Sequence, residues 1–244
     1  MNKLVAAFAL LLIGWGGAEA AEIKVFSTVG MQPATPELFA QFERETGHKI
    51  SVTYGLAAVL KQNFLDGAPA DVLLLTGPII EDLAKQGKVV ADSKVDVARS
   101  GVGLGVKAGA PKPNIGTPEQ LKATVLAAKS IGYSKQGASG VAFARVLERL
   151  GIAGQVQAKY KDTGLKAGEM VAAGEVELAA AQVPELLAVP GIDVIPLPAE
   201  LQTITVFSLG LTTEAKEVGA AKALIQFLAG PAAVPVYKAK GLGG

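Results

Sequence analysis

From residue 22 onward the sequence alternates short apolar runs with stretches of helical periodicity, and the run at 70–76 (ADVLLLT) is apolar almost without a break. A strand of that kind is buried on both faces, which sheets flanked by helices on each side require. Upstream of it, 22–27 (EIKVFS) and 49–54 (KISVTY) read as strands. Between these two, Leu38, Phe39 and Phe42 share one face of a helix over 36–46, with Thr35 as its N-cap and Gly47 as its end. Helices over 59–65 and 78–86 come after the second and third strands. Strand–helix–strand repetition at this spacing predicts an α/β fold with mostly parallel sheets.

A second unit begins near residue 101. Its strands are expected at 101–107, 130–133, 157–160, 176–182 and 192–196, with a long strand at 203–212. Its helices open at Thr117-Pro118, where Thr117 is the N-cap and Pro118 the first helical residue, and run over 139–150 and 165–173. A last helix spans 215–228. Neither an internal repeat nor a low-complexity linker interrupts the chain.

Composition removes several chemistries. At 244 residues the chain has room for one or two domains and a sizeable core. With no cysteine, disulfides, thiolate nucleophiles and cysteine–metal sites are excluded. A single histidine, His48, argues against histidine metal clusters and Ser-His-Asp catalysis. The net charge of +1 lacks the basic excess of a nucleic-acid binder. Residues 1–20 carry Lys3, an apolar run of about a dozen residues and a small-residue end at Ala18 and Ala20, the pattern of an export signal cleaved after Ala20. The expected location is the periplasm, with no membrane insertion of the mature chain.

Four segments carry a family resemblance: 39–47 (FAQFERETG), 67–72 (GAPADV), 174–177 (GEVE) and 220–231 (AAKALIQFLAGP). In this order they resemble the molybdate-binding-protein-like branch of bacterial periplasmic solute-binding proteins, over about residues 22–242. The resemblance implies a two-lobed, type II periplasmic-binding-protein fold with two crossover strands, near 98–100 and 201–205. Lobe one would comprise 21–99 with 203–244, and lobe two 100–202. It also implies a small anionic ligand held in the cleft between the lobes and handed to an ABC transporter permease. No cofactor and no metal are implied, and a monomer is expected.

Ligands of α/β sheets sit beyond the carboxyl ends of strands, and anions favour helix N-termini. Four loops meet both conditions. They supply Ser27 and Thr28, Ala57 and Ala58, Thr76, and on lobe two Ser134 and Ser139. Capping of the adjoining helix is the structural alternative for each. Two further candidates are Arg99 at a crossover, whose planar fork suits a carboxylate, and Gln182. Oxyanion binders of the resembled family carry a serine near 57–58 and a tyrosine at the position of Gln182. This chain departs at both, which favours a small organic acid over molybdate and leaves both ligand classes open. The competing functions are a ligand sensor on the same fold and an enzyme. Asp71 and Glu81 show no carboxylate pairing suited to acid–base catalysis, so no enzyme is expected, and Asp71 reads as the anchor of a strand end.

Overall fold

The computed structural model describes residues 20–243, so the export signal expected in the first twenty residues lies almost wholly outside them. Ten strands form two five-stranded sheets. The first contains β1 (Glu22–Thr28), β2 (Lys49–Gly55), β3 (Val72–Thr76), β4 (Val95–Ser100) and β10 (Thr205–Leu211), in the order β2-β1-β3-β10-β4. The second contains β5 (Val102–Lys107), β6 (Ile131–Tyr133), β7 (Tyr160–Asp162), β8 (Leu178–Gln182) and β9 (Ile192–Pro196), in the order β7-β6-β8-β5-β9. Around the first sheet lie α1 (Thr35–Thr46), α2 (Ala57–Leu65), α3 (Gly77–Lys85), α9 (Val218–Ala229) and α10 (Ala233–Ala239). The second carries α4 (Pro118–Ala127), α5 (Ala138–Arg149), α6 (Ala153–Gln157), α7 (Ala167–Ala172) and α8 (Val183–Leu187).

The apolar run behaves as its composition demands. Val72 and Leu74 pack with Ile23, Val25, Leu38 and Phe42 on one side of the sheet. Leu73 and Leu75 pack with Phe26, Leu60, Phe64 and Ile80 on the other. All four of these β3 side chains are fully buried, each worth about 2 kcal/mol of hydrophobic stabilisation.

The sheets are mixed, a correction to the expected parallel content. β1 pairs in parallel with β2 and β3, and β6 with β7 and β8. β10 runs antiparallel to β3 and β4, and β5 to β8 and β9. The reason lies in the crossings. β5 and β10 each enter from the other sheet, so Val102 pairs with Gln182 at the end of β8, and Phe207 pairs with Thr76 at the end of β3. A strand that starts where its neighbours finish must run against them.

Only Gly101 separates β4 from β5. Gln202 lies against it: its Oε1 accepts the Val102 N–H at 2.7 Å and its Nε2 donates to the Val102 carbonyl at 3.0 Å. A Cβ at Gly101 would lie 2.8 Å from the Gln202 Cδ, so the clamp requires glycine. The two crossing segments are thereby held side by side.

Several local expectations change. β4 extends the crossover strand expected near 98–100 back to Val95, where Val95, Asp96 and Arg99 make a polar, half-exposed edge that carries no strand pattern. The strand expected at 157–160 lies at Tyr160–Asp162, since Ile152 and Val156 bury themselves by helical spacing in and before α6. Thr35 is not a cap. It stands inside α1, where its hydroxyl reaches the Met31 carbonyl at 3.1 Å and the Tyr54 hydroxyl at 2.7 Å. The helix expected at 215–228 starts at Val218, three residues later than its pattern suggests, and a further helix, α10, follows it.

Asp71 is a buried anchor: its two carboxylate oxygens accept the Lys24 and Lys216 backbone N–H groups, each at 2.8 Å. Asp71→Ala strands both donors, and each charge-assisted bond contributes about 1.5–3 kcal/mol. We expect a loss of about 3 kcal/mol in urea unfolding, and a smaller loss for Asp71→Asn, which keeps one acceptor.

Candidate functional site

A narrow cavity of about 30 Å³ lies where the two sheets face each other. Its walls are the segments just past the carboxyl ends of the parallel strands. Thr28 closes β1, Leu56 and Ala57 come after β2, and Thr76 closes β3. From the second sheet come Ser134, Gly137, Ala138 and Ser139 after β6, Thr163 and Gly164 after β7, and Gln182 with Glu185 after β8. Phe207 of β10 completes the wall. Thr28, Ala57, Ser134, Ser139, Gln182 and Phe207 are buried, Leu56, Thr76 and Glu185 half-buried, and Ala138 and Gly164 exposed at the rim.

The cavity wall has no lysine, arginine or histidine among the described residues. Its attraction for an anion comes from backbone. α2, α3 and α5 open on it with Leu56, Thr76 and Gly137 as N-caps, and none of the three has a side-chain cap. Their first-turn N–H groups lack intrahelical partners, and the helix dipole adds partial positive charge at each. Among the described helices only α4 carries a side-chain cap, the capping box between Thr117 and Gln120. α1, α6, α9 and α10, which do not border the cavity, are uncapped too, so it is the convergence of three N-termini on one space that sets α2, α3 and α5 apart.

One loop shows how closely this is built. The Ser134 Oγ accepts the Gly137 N–H at 3.1 Å, leaving its own O–H free to donate. A Cβ at position 140 would fall 1.8 Å from the Ser134 carbonyl oxygen, so only glycine lets the loop fold back on the first turn of α5.

Two buried side-chain atoms in the wall have no partner among the described residues: Gln182 Oε1 and Thr163 Oγ1. The Gln182 amide instead spends its nitrogen on a bridge between the sheets, donating to Thr205 Oγ1 at 2.8 Å. Glu185 stands beside it with neither a hydrogen bond nor an ion pair among the described residues. Its carboxyl is pushed up to about 7, first by burial and then by the charge of Glu169. Glu185 also lines a second, wider groove with Val29, Tyr54, Lys166, Ala167 and Glu169. It therefore stands in the wall between the closed cavity and that groove.

Of the residues singled out from sequence, Thr28, Ala57, Thr76, Ser134, Ser139 and Gln182 come together here. Three do not. Ser27 is buried behind the wall, its hydroxyl directed at the Thr28 carbonyl at 3.4 Å. Ala58 is exposed, one helical step round α2 from Ala57. Arg99 is exposed on the edge strand β4, where its backbone pairs with Gly243. Strand alternation turns Ala98 inward and Arg99 out. The residues that sequence reasoning missed are Thr163, Phe207 and Glu185. A carboxylate in the first turn of a helix after Pro184 is an ordinary dipole-satisfying position, so nothing in the sequence marked Glu185 out.

Residues 23–243 match the family model of the bacterial extracellular solute-binding proteins. The chain belongs to that family. Among curated relatives, an aconitate isomerase from Pseudomonas sp. is 32% identical, with 90% of this chain and 87% of the relative covered. The molybdate-binding protein ModA of Azotobacter vinelandii is 30% identical, with 100% and 98% covered. The solved periplasmic molybdate-binding protein of A. vinelandii superposes with a TM-score of 0.78 at 22% identity, covering 90% of this chain and 98% of its own. The two-lobed type II periplasmic-binding-protein fold expected from sequence is therefore the fold of this solute-binding protein. The relative named as an isomerase means that this family frame also serves an enzyme, which the sequence reading did not anticipate.

The raised Glu185 carboxyl has a consequence for stability. Folding favours its protonated form, so the contribution is fully present below the unfolded value of 4.5 and is lost as pH rises through about 7. Comparing urea unfolding at pH 5 and pH 8, we expect the wild-type chain to lose up to about 3 kcal/mol more than Glu185→Gln, which cannot ionise.

Proposed function

We propose that the mature chain, residues 21–244, is a periplasmic solute-binding protein that encloses a small organic acid anion between two lobes and delivers it to an ABC importer. The lobes are 21–99 with 203–244, and 100–202. The observation that carries this reading is the mixed character of the cavity wall. Backbone N–H groups of α2, α3 and α5, with the hydroxyls of Thr28, Ser134 and Ser139, supply donors for a carboxylate. Gln182 Oε1 and the Glu185 carboxyl supply acceptors. A fully ionised tetrahedral oxyanion offers only acceptors and has nothing to give Gln182 Oε1, or Glu185 once its carboxyl is ionised. An organic acid that also carries a hydroxyl or a protonated carboxyl satisfies both kinds of group. The likeness to a relative named for aconitate, a tricarboxylate, supports the same ligand class.

A second reading, catalysis on that same bound acid, is favoured by Glu185 and by that relative's name.

Titration calorimetry on the mature chain tests the binding role. We expect heat with cis- or trans-aconitate or with citrate, and none with molybdate, tungstate or sulfate. Ser139→Ala removes one hydrogen bond to a charged ligand and weakens binding about tenfold, which corresponds to about 1.4 kcal/mol. Binding of molybdate or sulfate with no response to any carboxylate contradicts the reading.

A further inference from the structure

We propose that Glu185 transfers a proton to and from carbon in the bound ligand, so that the chain isomerises an unsaturated polycarboxylate as well as holding it. This rests on the organic-acid reading above and deepens it.

Beyond the favourable place of a carboxylate in the first turn of α8, Glu185 has no structural task. It caps nothing, pairs with no cation among the described residues and bonds to no backbone group, although it sits against the turn at Gly30, where a Cβ would lie 3.4 Å from its Oε1. A free carboxyl in the wall of an anion site works against simple capture, because its charge repels the ligand. The place of Glu185 in the wall, within reach of whatever the cavity holds, suits it to proton transfer as well as to accepting a hydrogen bond. Its carboxyl titrates near neutrality, the range in which one group both accepts and returns a proton. The ionisable groups around it are Tyr54 of β2, and Lys166 and Glu169 at the start of α7, all in the outer groove.

The rest of the wall completes the requirement. In an acid with a carbon–carbon double bond next to a CH₂ carboxylate, the ionised Glu185 takes a proton from the CH₂ carbon. The C–H bond breaks and an O–H bond forms on Glu185. The electron pair left behind spreads over three carbons and into the attached carboxylates. The uncapped N–H groups of α2, α3 and α5 face that growing charge, as oxyanion donors do elsewhere. Glu185 then delivers a proton to the far carbon of the three, and the double bond has moved. No electrons leave the ligand and no co-reactant is consumed. One base suffices, because the proton leaves and returns on one face, and the Glu185 carboxyl, which also borders the open outer groove, exchanges its proton with solvent between the two transfers.

Proton NMR in D₂O with the mature chain and cis- or trans-aconitate tests this, with binding measured separately by calorimetry. The wild-type chain should interconvert the two isomers and bring deuterium into the ligand's carbon-bound positions. The rate should rise with pH and level off above about 7, where Glu185 is ionised. At saturating ligand, Glu185→Gln should slow the reaction a hundredfold or more. Glu185→Asp, which keeps an acid one carbon shorter, should retain part of the rate together with a pH-dependent rise. A wild-type chain that binds aconitate but neither exchanges nor isomerises it overturns the proposal and leaves the binding role standing. A Glu185→Gln chain as fast as wild type also overturns it. Absence of aconitate binding in the wild type overturns both readings.

Discussion

Three helices open onto one closed space, and no side chain caps any of them. That is the constraint on which the rest of the molecule turns. A buried N–H without a partner costs about 1–3 kcal/mol, and α2, α3 and α5 bring several to one place. The fold supports this by construction, because the parallel strands β1, β2 and β3 and their counterparts β6, β7 and β8 all end at the cavity. An anion that accepts from those groups satisfies them without any basic side chain. Selectivity then falls to the few side chains that are not donors, Gln182 and Glu185.

Access is set by the same arrangement. Most of the polar lining, Thr28, Ser134, Ser139 and Gln182, is buried between the two sheets, so separation of the halves widens the way in. The chain crosses between the sheets at Gly101 and again between β9 and β10, and Gln202 ties the two crossings together through the Val102 backbone. Motion concentrated at such short segments is hinge motion. Next to Gly101, where Thr205 pairs with Ser100 and Gln182 with Val102, the bond between Gln182 and Thr205 ties the two sheets at the crossing. The Gln182 nitrogen is spent there, while its oxygen has no partner among the described residues.

Much of this was legible in the sequence, for identifiable reasons. The unbroken apolar run at 70–76 announced a strand covered on both faces, and β3 is that strand. Loops that join a strand end to a helix start carry their own punctuation, so Thr28, Thr76, Ser134 and Ser139 could be found from turn and capping chemistry alone. What failed depended on contacts distant in sequence. Arg99 was chosen for its chemistry, but the edge position of β4 and strand alternation direct it outward. Thr35 looked like a cap until the approach of Tyr54 gave its hydroxyl another partner. Glu185 escaped notice because its singular property is the absence of a partner, which only the packing of α8 against the turn at Gly30 reveals.

The most direct measurement is a crystal structure of the mature chain grown with trans-aconitate. One ligand carboxylate should lie in the cavity, within hydrogen-bond distance of amide nitrogens in the first turns of α2, α3 or α5, with Glu185 against the ligand's carbon chain. A ligand found outside the space between the two sheets, or a cavity holding only water at saturating ligand, would contradict an anion site built from helix N-termini.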